Sequence, residues 1–199
     1  MKSLQKTGVA FFNIRQITVI GVLTAITVVL GQFGLGFLVI PGLPAKITIM
    51  HIPVIIGAII EGPVVGVMVG LLFGIFSIIQ NMMVPTPLSF AFLNPLVSVL
   101  PRMFIGVTAY YAYNMVRVKY DTMRVGIAAA VGTATNTIGV LGMIYLLYAV
   151  PFAELKKVDV GTVGTVIAGI AVTNGVPEII AAVVITIAVV TSLKKIYKK

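Results

Sequence analysis

Six apolar runs occupy most of the chain between residues 17 and 192, and their lengths constrain the fold more than any other feature. A helix rises about 1.5 Å per residue and needs roughly 20 apolar residues to cross a hydrocarbon core of about 30 Å. The runs lie at residues 17–40, 47–60, 64–79, 90–115, 125–150 and 161–192. Because the chain is 59% hydrophobic and only 10% charged, we predict an all-α membrane protein, a single integral membrane domain built as a six-transmembrane-helix bundle.

The second and third runs are shorter than the others. The sequence "EGP" at residues 61–63 separates them, and glycine and proline together interrupt a helix. We therefore predict two short helices in a hairpin that packs inside the bundle or borders an aqueous cavity.

Basic residues are concentrated at the two ends of the chain and in one central loop. Lys2, Lys6 and Arg15 precede or open the first run, "RVKYDTMR" at 117–124 follows the fourth, and "KKIYKK" at 194–199 follows the sixth. Cytoplasmic loops collect Lys and Arg, so both termini are predicted to be cytoplasmic. The net charge of +9 is explained by this topology, and no nucleic-acid partner is predicted.

The sequence lacks the motifs of several enzyme classes. It contains no cysteine, no G-x-x-x-x-G-K-[ST] phosphate loop, no H-E-x-x-H and no G-x-S-x-G. Its two aspartates, Asp121 and Asp159, both fall in predicted loops. We predict that the protein is not an enzyme, that it holds no metal or cofactor, and that any energy from ATP comes from another protein.

Polar residues inside the apolar runs mark the candidate site, because ionisable groups at membrane depth are costly and usually functional. In the sixth run Asn174 and Glu178 are four residues apart and share a helix face. In the fourth run, three polar residues recur at intervals of four. Further polar residues lie near the outer end of the second run and close to the middle of the fifth. The candidate substrate-binding residues are Lys46, His51, Asn94, Ser98, Arg102, Asn136, Asn174 and Glu178. The predicted topology gathers them into an outward-facing pocket.

Each of these assignments has an alternative. Arg102 and Glu178 would also suit a structural ion pair between two helices, and His51 would also suit a hydrogen-bonded group at a helix start. In an autonomous small permease or channel, Glu178 would instead be a proton or ion site.

Glycines recur every fourth residue in the third run, at Gly62, Gly66, Gly70 and Gly74. Such a face lets another backbone approach closely, either within the bundle or on a partner subunit. Gly66, Gly70 and Gly74 are therefore candidate partner-interface residues, together with Gly21 and Ala25 in the first run.

The chain resembles the substrate-binding S components of energy-coupling factor (ECF) vitamin transporters over about residues 15–195. The resemblance is carried by "KITIMHIPVIIGAIIEGPVVGVMVGLLFGIFS" (46–77), "SFAFLNPLVSVLPRMFIG" (89–106) and "NGVPEIIAAVV" (174–184). It implies a multi-pass protein of the bacterial cell membrane that captures a vitamin outside. It also implies partners, namely a transmembrane coupling subunit and two ATPase subunits. In the mechanism that the resemblance implies, ATP hydrolysis by these partners drives the whole S component to rotate, or topple, within the lipid membrane.

Family members carry an A-x-x-x-A motif in the first helix that contacts the coupling subunit, and Gly21 and Ala25 stand at the matching positions. The stretches "HIP…EGP" and "NPLVSVLPR" look most like the pantothenate-type members. Pantothenate has one carboxylate, one amide and two hydroxyls, which Arg102 and the asparagines would suit. Hydroxymethylpyrimidine, folate and riboflavin stay open as alternative ligands. The loop after the first run, residues 34–46, is a candidate lid.

Overall fold

The computed structural model describes residues 13–38 and 47–197. This part of the chain forms eight α-helices and one two-stranded antiparallel ribbon. The helices are α1 (Ile14–Gln32), α2 (Ile52–Glu61), α3 (Pro63–Met83), α4 (Ser89–Phe92), α5 (Pro95–Ser98), α6 (Leu100–Met115), α7 (Asp121–Lys156) and α8 (Val163–Tyr197). The strands are β1 (Phe37–Leu38) and β2 (Ile47–Thr48), and a short 3-10 turn (Val160–Thr162) precedes α8.

Four of the described helices, α1, α3, α7 and α8, are long and apolar enough to cross a membrane. Many of their large apolar side chains are exposed, including Leu146, Val172 and Ile180. Exposed apolar side chains on long helices are the arrangement expected of a bundle surrounded by lipid. The protein is therefore a helical membrane protein, as the apolar runs predict.

Helix α2 forms the centre of the bundle. It has 10 residues, about 15 Å of rise, and therefore reaches only half of a hydrocarbon core. Its residues from Ile52 to Ile59 are all buried, and it contacts α1, α3, α6, α7 and α8. A helix that is apolar on every side belongs inside a bundle, so α2 is one of the two short internal helices that the sequence predicts. The prediction is wrong for α3, which has 21 residues and is long enough to cross a membrane.

The glycines of α3 pack against α6 of the same chain. A Cβ atom added at Gly66 would lie 2.9 Å from the Cα of Gly106, and one at Gly70 would lie 2.8 Å from the carbonyl carbon of Arg102. Gly74 is also buried. Because α2, α6 and residues 98–99 just before α6 fill this face, the prediction of a partner surface at Gly66, Gly70 and Gly74 is wrong. Their role is close contact between segments of the same chain.

Helix α1 lies at the edge of the bundle. Gly21 and Ala25 are exposed, and a Cβ atom added at Gly21 would meet nothing within 4 Å. The helix begins with a capping box, in which Asn13 and Gln16 bond each other's backbone N–H groups. The small-residue face of α1 is therefore open in this chain, unlike that of α3.

Helices α1 and α2 are shorter than the predicted first and second spans, whereas α3, α7 and α8 continue past the last residue predicted for the third, fifth and sixth. The first helix ends at Gln32 rather than at residue 40, because Gly34 adopts φ +71° and turns the chain into β1. The second begins at Ile52 rather than at residue 47, because Ile47 and Thr48 form β2. The apolar residues that extend both runs belong to the ribbon.

The predicted fourth span, 90–115, is three helices rather than one. Pro95 opens α5, and Pro101 lies in the first turn of α6. Proline fixes φ and lacks an N–H, so it fits the start of a helix and interrupts its interior. Only α6 continues as a helix of 16 residues.

Helix α7 bends near its end. Tyr148 has φ −137° and ψ 27°, outside the helical region, three residues before Pro151. The proline ring removes one backbone hydrogen bond and crowds the preceding turn, which explains the bend. Beyond the bend, Phe152 and Ala153 are buried in a second apolar cluster with Val163 of α8.

Charged residues cluster at one end of the bundle, where α1 and α7 begin and α2 and α8 end. Arg15 pairs with Glu61 at 2.6 Å, and Lys194 pairs with Asp121 at 2.7 Å. Tyr113 lies between the last two and donates a hydrogen bond of 2.5 Å to Asp121. These contacts join the helix termini at this end.

Candidate binding cavity

A cavity of about 490 Å³ lies toward the opposite end of the bundle, between the ribbon, α3, α6 and α7. Its volume falls in the range of small-molecule sites, roughly 300–1,000 Å³. Its lining among the described residues is Phe37, Thr48, Met50, Phe73, Ser77, Gln80, Asn81, Val84, Thr86, Phe92, Arg102 and Asn136. Apolar and aromatic side chains with a few polar groups are typical of a site for a small organic solute.

Arg102 is the only charged side chain in this lining and is 6% exposed. Its Nη1 donates a hydrogen bond of 2.6 Å to the Val97 carbonyl, while its Nε is buried without a hydrogen-bond partner among the described residues. The rings of Phe73 and Phe92 lie 5.5 and 5.6 Å from the guanidinium carbon. The aromatic contacts hold the guanidinium in place, and its remaining donors suit an anionic group such as a carboxylate.

Asn136 of α7 supplies a second polar group. Its side chain is 7% exposed, and in the described part of the chain its buried Oδ1 has no hydrogen-bond partner. A buried amide oxygen without a partner costs free energy, and such groups commonly mark functional sites. Arg102 and Asn136 are the two sequence-predicted site residues that the cavity brings together.

The last turns of α3 add polar residues that the sequence analysis missed. Gln80 donates to the Gly31 carbonyl at 2.9 Å, and Asn81 donates to the Ser77 carbonyl at 2.8 Å. Asn81 Oδ1 also accepts from Ser89 Oγ at 2.8 Å, which ties α3 to α4. The apolar run ends at residue 79, but the spacing of Ser77, Gln80 and Asn81 continues one helix face and could have indicated them.

Glu178 is buried, 5% exposed, but is not among the residues that line the cavity. Its Oε1 accepts from the Thr48 backbone N–H at 3.0 Å, and its Oε2 accepts from Thr137 Oγ1 at 3.0 Å. In the described part of the chain, all ion pairs lie at the other end of the bundle. The alternative of an Arg102–Glu178 ion pair is therefore wrong.

His51 is fully buried at the start of α2 and also lies outside the cavity lining. Its Nε2 shares a hydrogen bond of 2.9 Å with Thr133 Oγ1 of α7, and no described residue bonds its Nδ1. The structure places His51 at a contact between two helices, as the alternative of a hydrogen-bonded group at a helix start predicts.

The side chains of Asn94 and Ser98 form hydrogen bonds with nearby backbone groups. Asn94 caps α5, since its Oδ1 accepts from Leu96 N–H at 2.9 Å, and its Nδ2 donates to Tyr148 Oη at 3.0 Å. Ser98 Oγ donates to the Phe92 carbonyl at 2.5 Å. Neither residue lines the cavity, because the break between α5 and α6 removes the continuous helix face on which they were expected to share a site with Arg102.

The remaining predicted site residues are Asn174 and Lys46. Asn174 is half-buried, accepts from Thr173 Oγ1 at 3.3 Å and does not line the cavity. Lys46 lies outside the described residues, as does most of the candidate lid, 39–46. Among the described residues, no three His, Asp or Glu side chains are grouped so that they could hold a metal ion.

A bundle of long apolar helices around a cavity with one guanidinium and one free amide oxygen is the architecture of a membrane protein that binds a small polar solute. The chain belongs to the family of substrate-specific components of ECF transporters, whose family model matches residues 15–190. The prediction of an ECF S component is thereby confirmed, and the autonomous permease is disfavoured.

One curated relative is named as a transporter. The chain is similar to the pantothenic acid transporter PanT of Lactococcus lactis subsp. cremoris (strain MG1363), with 32% identity over 193 residues. The match covers 90% of this chain and 93% of the relative.

Proposed function

We propose that this chain is the vitamin-capturing component of an ECF importer, and that its substrate is pantothenate. The observation that carries the proposal is Arg102, a cation in the wall of the cavity without a carboxylate partner in the described part of the chain. Similarity along nearly the whole chain to a protein named as a pantothenic acid transporter supports this choice of substrate.

The chemistry of pantothenate matches the cavity. Arg102 binds the carboxylate through its free donors, and the Oδ1 of Asn136 accepts a hydrogen bond from the amide or a hydroxyl. Phe73 and Phe92 pack against the apolar part of the molecule, and the polar end of α3 faces the remaining hydroxyls. Hydroxymethylpyrimidine has no carboxylate for Arg102 to bind, so it fits this cavity less well.

In the proposed topology the chain passes six times between the two faces of the bacterial cell membrane, and both termini are cytoplasmic. The second pass is made by β2 and the half-length helix α2 together. The basic loop at 117–124 and Lys194 lie at the end of the bundle opposite the cavity, which supports an outward-facing cavity by the positive-inside rule. A transmembrane coupling subunit and two ATPase subunits complete the importer. ATP hydrolysis by those subunits drives the S component to topple and release its substrate inside.

The carboxylate contact gives a first prediction. Pantothenol, in which a CH2OH group replaces the carboxylate, is expected to bind the purified chain about 100-fold more weakly than pantothenate. The reason is that it leaves the buried guanidinium without an anion. Competition against labelled pantothenate measures the difference. Equal affinity for the two compounds would contradict the proposed orientation of the ligand.

The open face of α1 gives a second prediction. Gly21→Leu is expected to leave the Kd for pantothenate within twofold, because nothing lies within 4 Å of a Cβ at this position. It is expected to reduce ATP-driven uptake by at least tenfold, because a large side chain prevents close contact with the coupling subunit.

The matched control for this substitution is Gly169→Leu, which adds the same side chain at an exposed position of α8 with equal free space. Uptake is measured in proteoliposomes that contain the chain with its coupling and ATPase subunits. Equal loss of uptake in both variants would mean that α1 is not a specific contact with the coupling subunit.

Proteoliposomes with the chain alone are expected to bind pantothenate without accumulating it.

A further inference from the structure

The edge of strand β2 requires a hydrogen-bond acceptor. Ile49 N–H bonds to the Gly36 carbonyl at 2.9 Å, and Phe37 is the partner of Thr48 in the antiparallel register. Hydrogen-bonded and non-hydrogen-bonded residue pairs alternate along an antiparallel ladder. Because Ile49 and Gly36 are hydrogen-bonded, the next pair, Thr48 and Phe37, is not, and the Thr48 N–H points away from β1. In the described sheet β2 has β1 as its one neighbour, and a backbone N–H inside a membrane bundle must be paired.

Glu178 supplies this acceptor from α8. Its Oε1 accepts from the Thr48 N–H at 3.0 Å. The same carboxylate reaches α7, because its Oε2 accepts from Thr137 Oγ1 at 3.0 Å. One buried side chain therefore joins the ribbon to two helices.

Both joined segments form walls of the cavity. Thr48 lines it directly, and Thr137 follows Asn136, which also lines it. Glu178 itself is not in the lining. The carboxylate therefore lies outside the cavity. It bonds to the backbone of one cavity wall at Thr48 and, in another wall, to Thr137, the residue next to Asn136.

We propose that Glu178 is a positioning residue for substrate capture: it fixes β2 against α7, so that Thr48 and Asn136 keep the spacing that the substrate requires. The role of Glu178 in capture rests on the proposed function. Its role in holding β2 does not, and can be tested without a ligand.

The test uses Thr137→Val, which removes one hydroxyl donor to Glu178 without changing the shape of the side chain. Hydrogen exchange at the Thr48 amide in the ligand-free protein is expected to accelerate about tenfold. The Kd for pantothenate is expected to rise about tenfold, mainly through faster dissociation, at an unchanged melting temperature. Glu178→Ala is expected to produce larger changes of the same kind, and Glu178→Gln smaller ones, since an amide can still bond both partners.

Thr135→Val is the matched control, because it removes a hydroxyl from the same helix that bonds Thr108 and the Val131 carbonyl instead. It is expected to change neither the exchange nor the Kd. The double variant Glu178→Ala with Thr137→Val should be no worse than Glu178→Ala alone, because both act through one contact.

Three results separate the possible failures. Unchanged Thr48 exchange in both Thr137→Val and Glu178→Ala would overturn the claim that Glu178 holds β2. Faster exchange with an unchanged Kd would reduce Glu178 to a structural role and overturn its part in capture. If the unmodified chain does not bind pantothenate, the proposed function fails, while the exchange experiment still decides whether Glu178 holds β2.

Discussion

Replacing Arg102 by glutamine is expected to weaken pantothenate binding by about 100-fold or more, equivalent to about 2.7 kcal/mol of binding free energy. Arg102 is the one charged residue in the described lining of the cavity, and none of the described residues accepts a hydrogen bond from its Nε. Glutamine keeps a polar side chain but removes the cation that binds the carboxylate. Calorimetric titration of the two proteins in the same detergent measures the effect.

Two comparisons isolate the role of the charge at Arg102. Arg117→Gln makes the same change in the exposed basic loop and is expected to leave the Kd within twofold. Pantothenol should lose much less affinity than pantothenate on Arg102→Gln, because it has no carboxylate to lose. If both ligands weaken equally, Arg102 acts by packing on Phe73 and Phe92 and by its bond to the Val97 carbonyl.

Gly70→Ala is expected to destabilise the ligand-free protein by about 3 kcal/mol or more, since it forces α3 and α6 apart. A Cβ at Gly70 would lie 2.8 Å from the carbonyl carbon of Arg102 and 3.1 Å from the Cα of Met103. Both are backbone atoms, so no side-chain rotation relieves the clash. The substitution also displaces Arg102, so pantothenate affinity should fall with stability.

Gly142→Ala is the matched control, because it changes glycine to alanine within α7 at a position with no atom within 4 Å. It is expected to leave stability unchanged or to raise it by up to about 1 kcal/mol, since alanine favours a helix. Thermal unfolding in detergent compares the two variants. Equal melting temperatures for Gly70→Ala and Gly142→Ala would contradict the tight α3–α6 contact.

The sequence predicts the helical membrane architecture well because its strongest signal is the length of apolar runs. The same signal fails where apolar residues adopt another structure. Phe37 and Ile47 continue apolar runs but belong to a ribbon, whose turn at Gly34 depends on one backbone angle. The internal position of α2 could be predicted because a half-length apolar helix cannot cross the membrane alone.

The candidate site is harder to predict, because spacing along a helix does not determine what a side chain contacts. Asn94 was expected to share a face with Arg102, but Pro95 and Pro101 divide the segment and turn Asn94 into a helix cap. Glu178 was expected at the cavity, but its partner is the backbone of Thr48, 130 residues away. A hydrogen bond to a backbone N–H so distant in sequence cannot be predicted from the residue types around Glu178.

The glycine face of α3 illustrates a further limit. A four-residue glycine repeat predicts close helix contact but not whether the second helix belongs to the same chain or to a partner. Gly66 meets Gly106 of α6, whereas Gly21 on α1 meets nothing within 4 Å. The tertiary structure therefore separates the internal contact from the surface that is open to a coupling subunit.

The most direct measurement is a calorimetric titration of the purified chain, alone in detergent, with pantothenate. The proposed function predicts saturable binding at one site per chain without coupling or ATPase subunits, and its loss in Arg102→Gln. A chain that binds a different vitamin from a panel of B-vitamins but not pantothenate would contradict the proposed substrate. Pantothenate binding that persists unchanged in Arg102→Gln would contradict the proposed site.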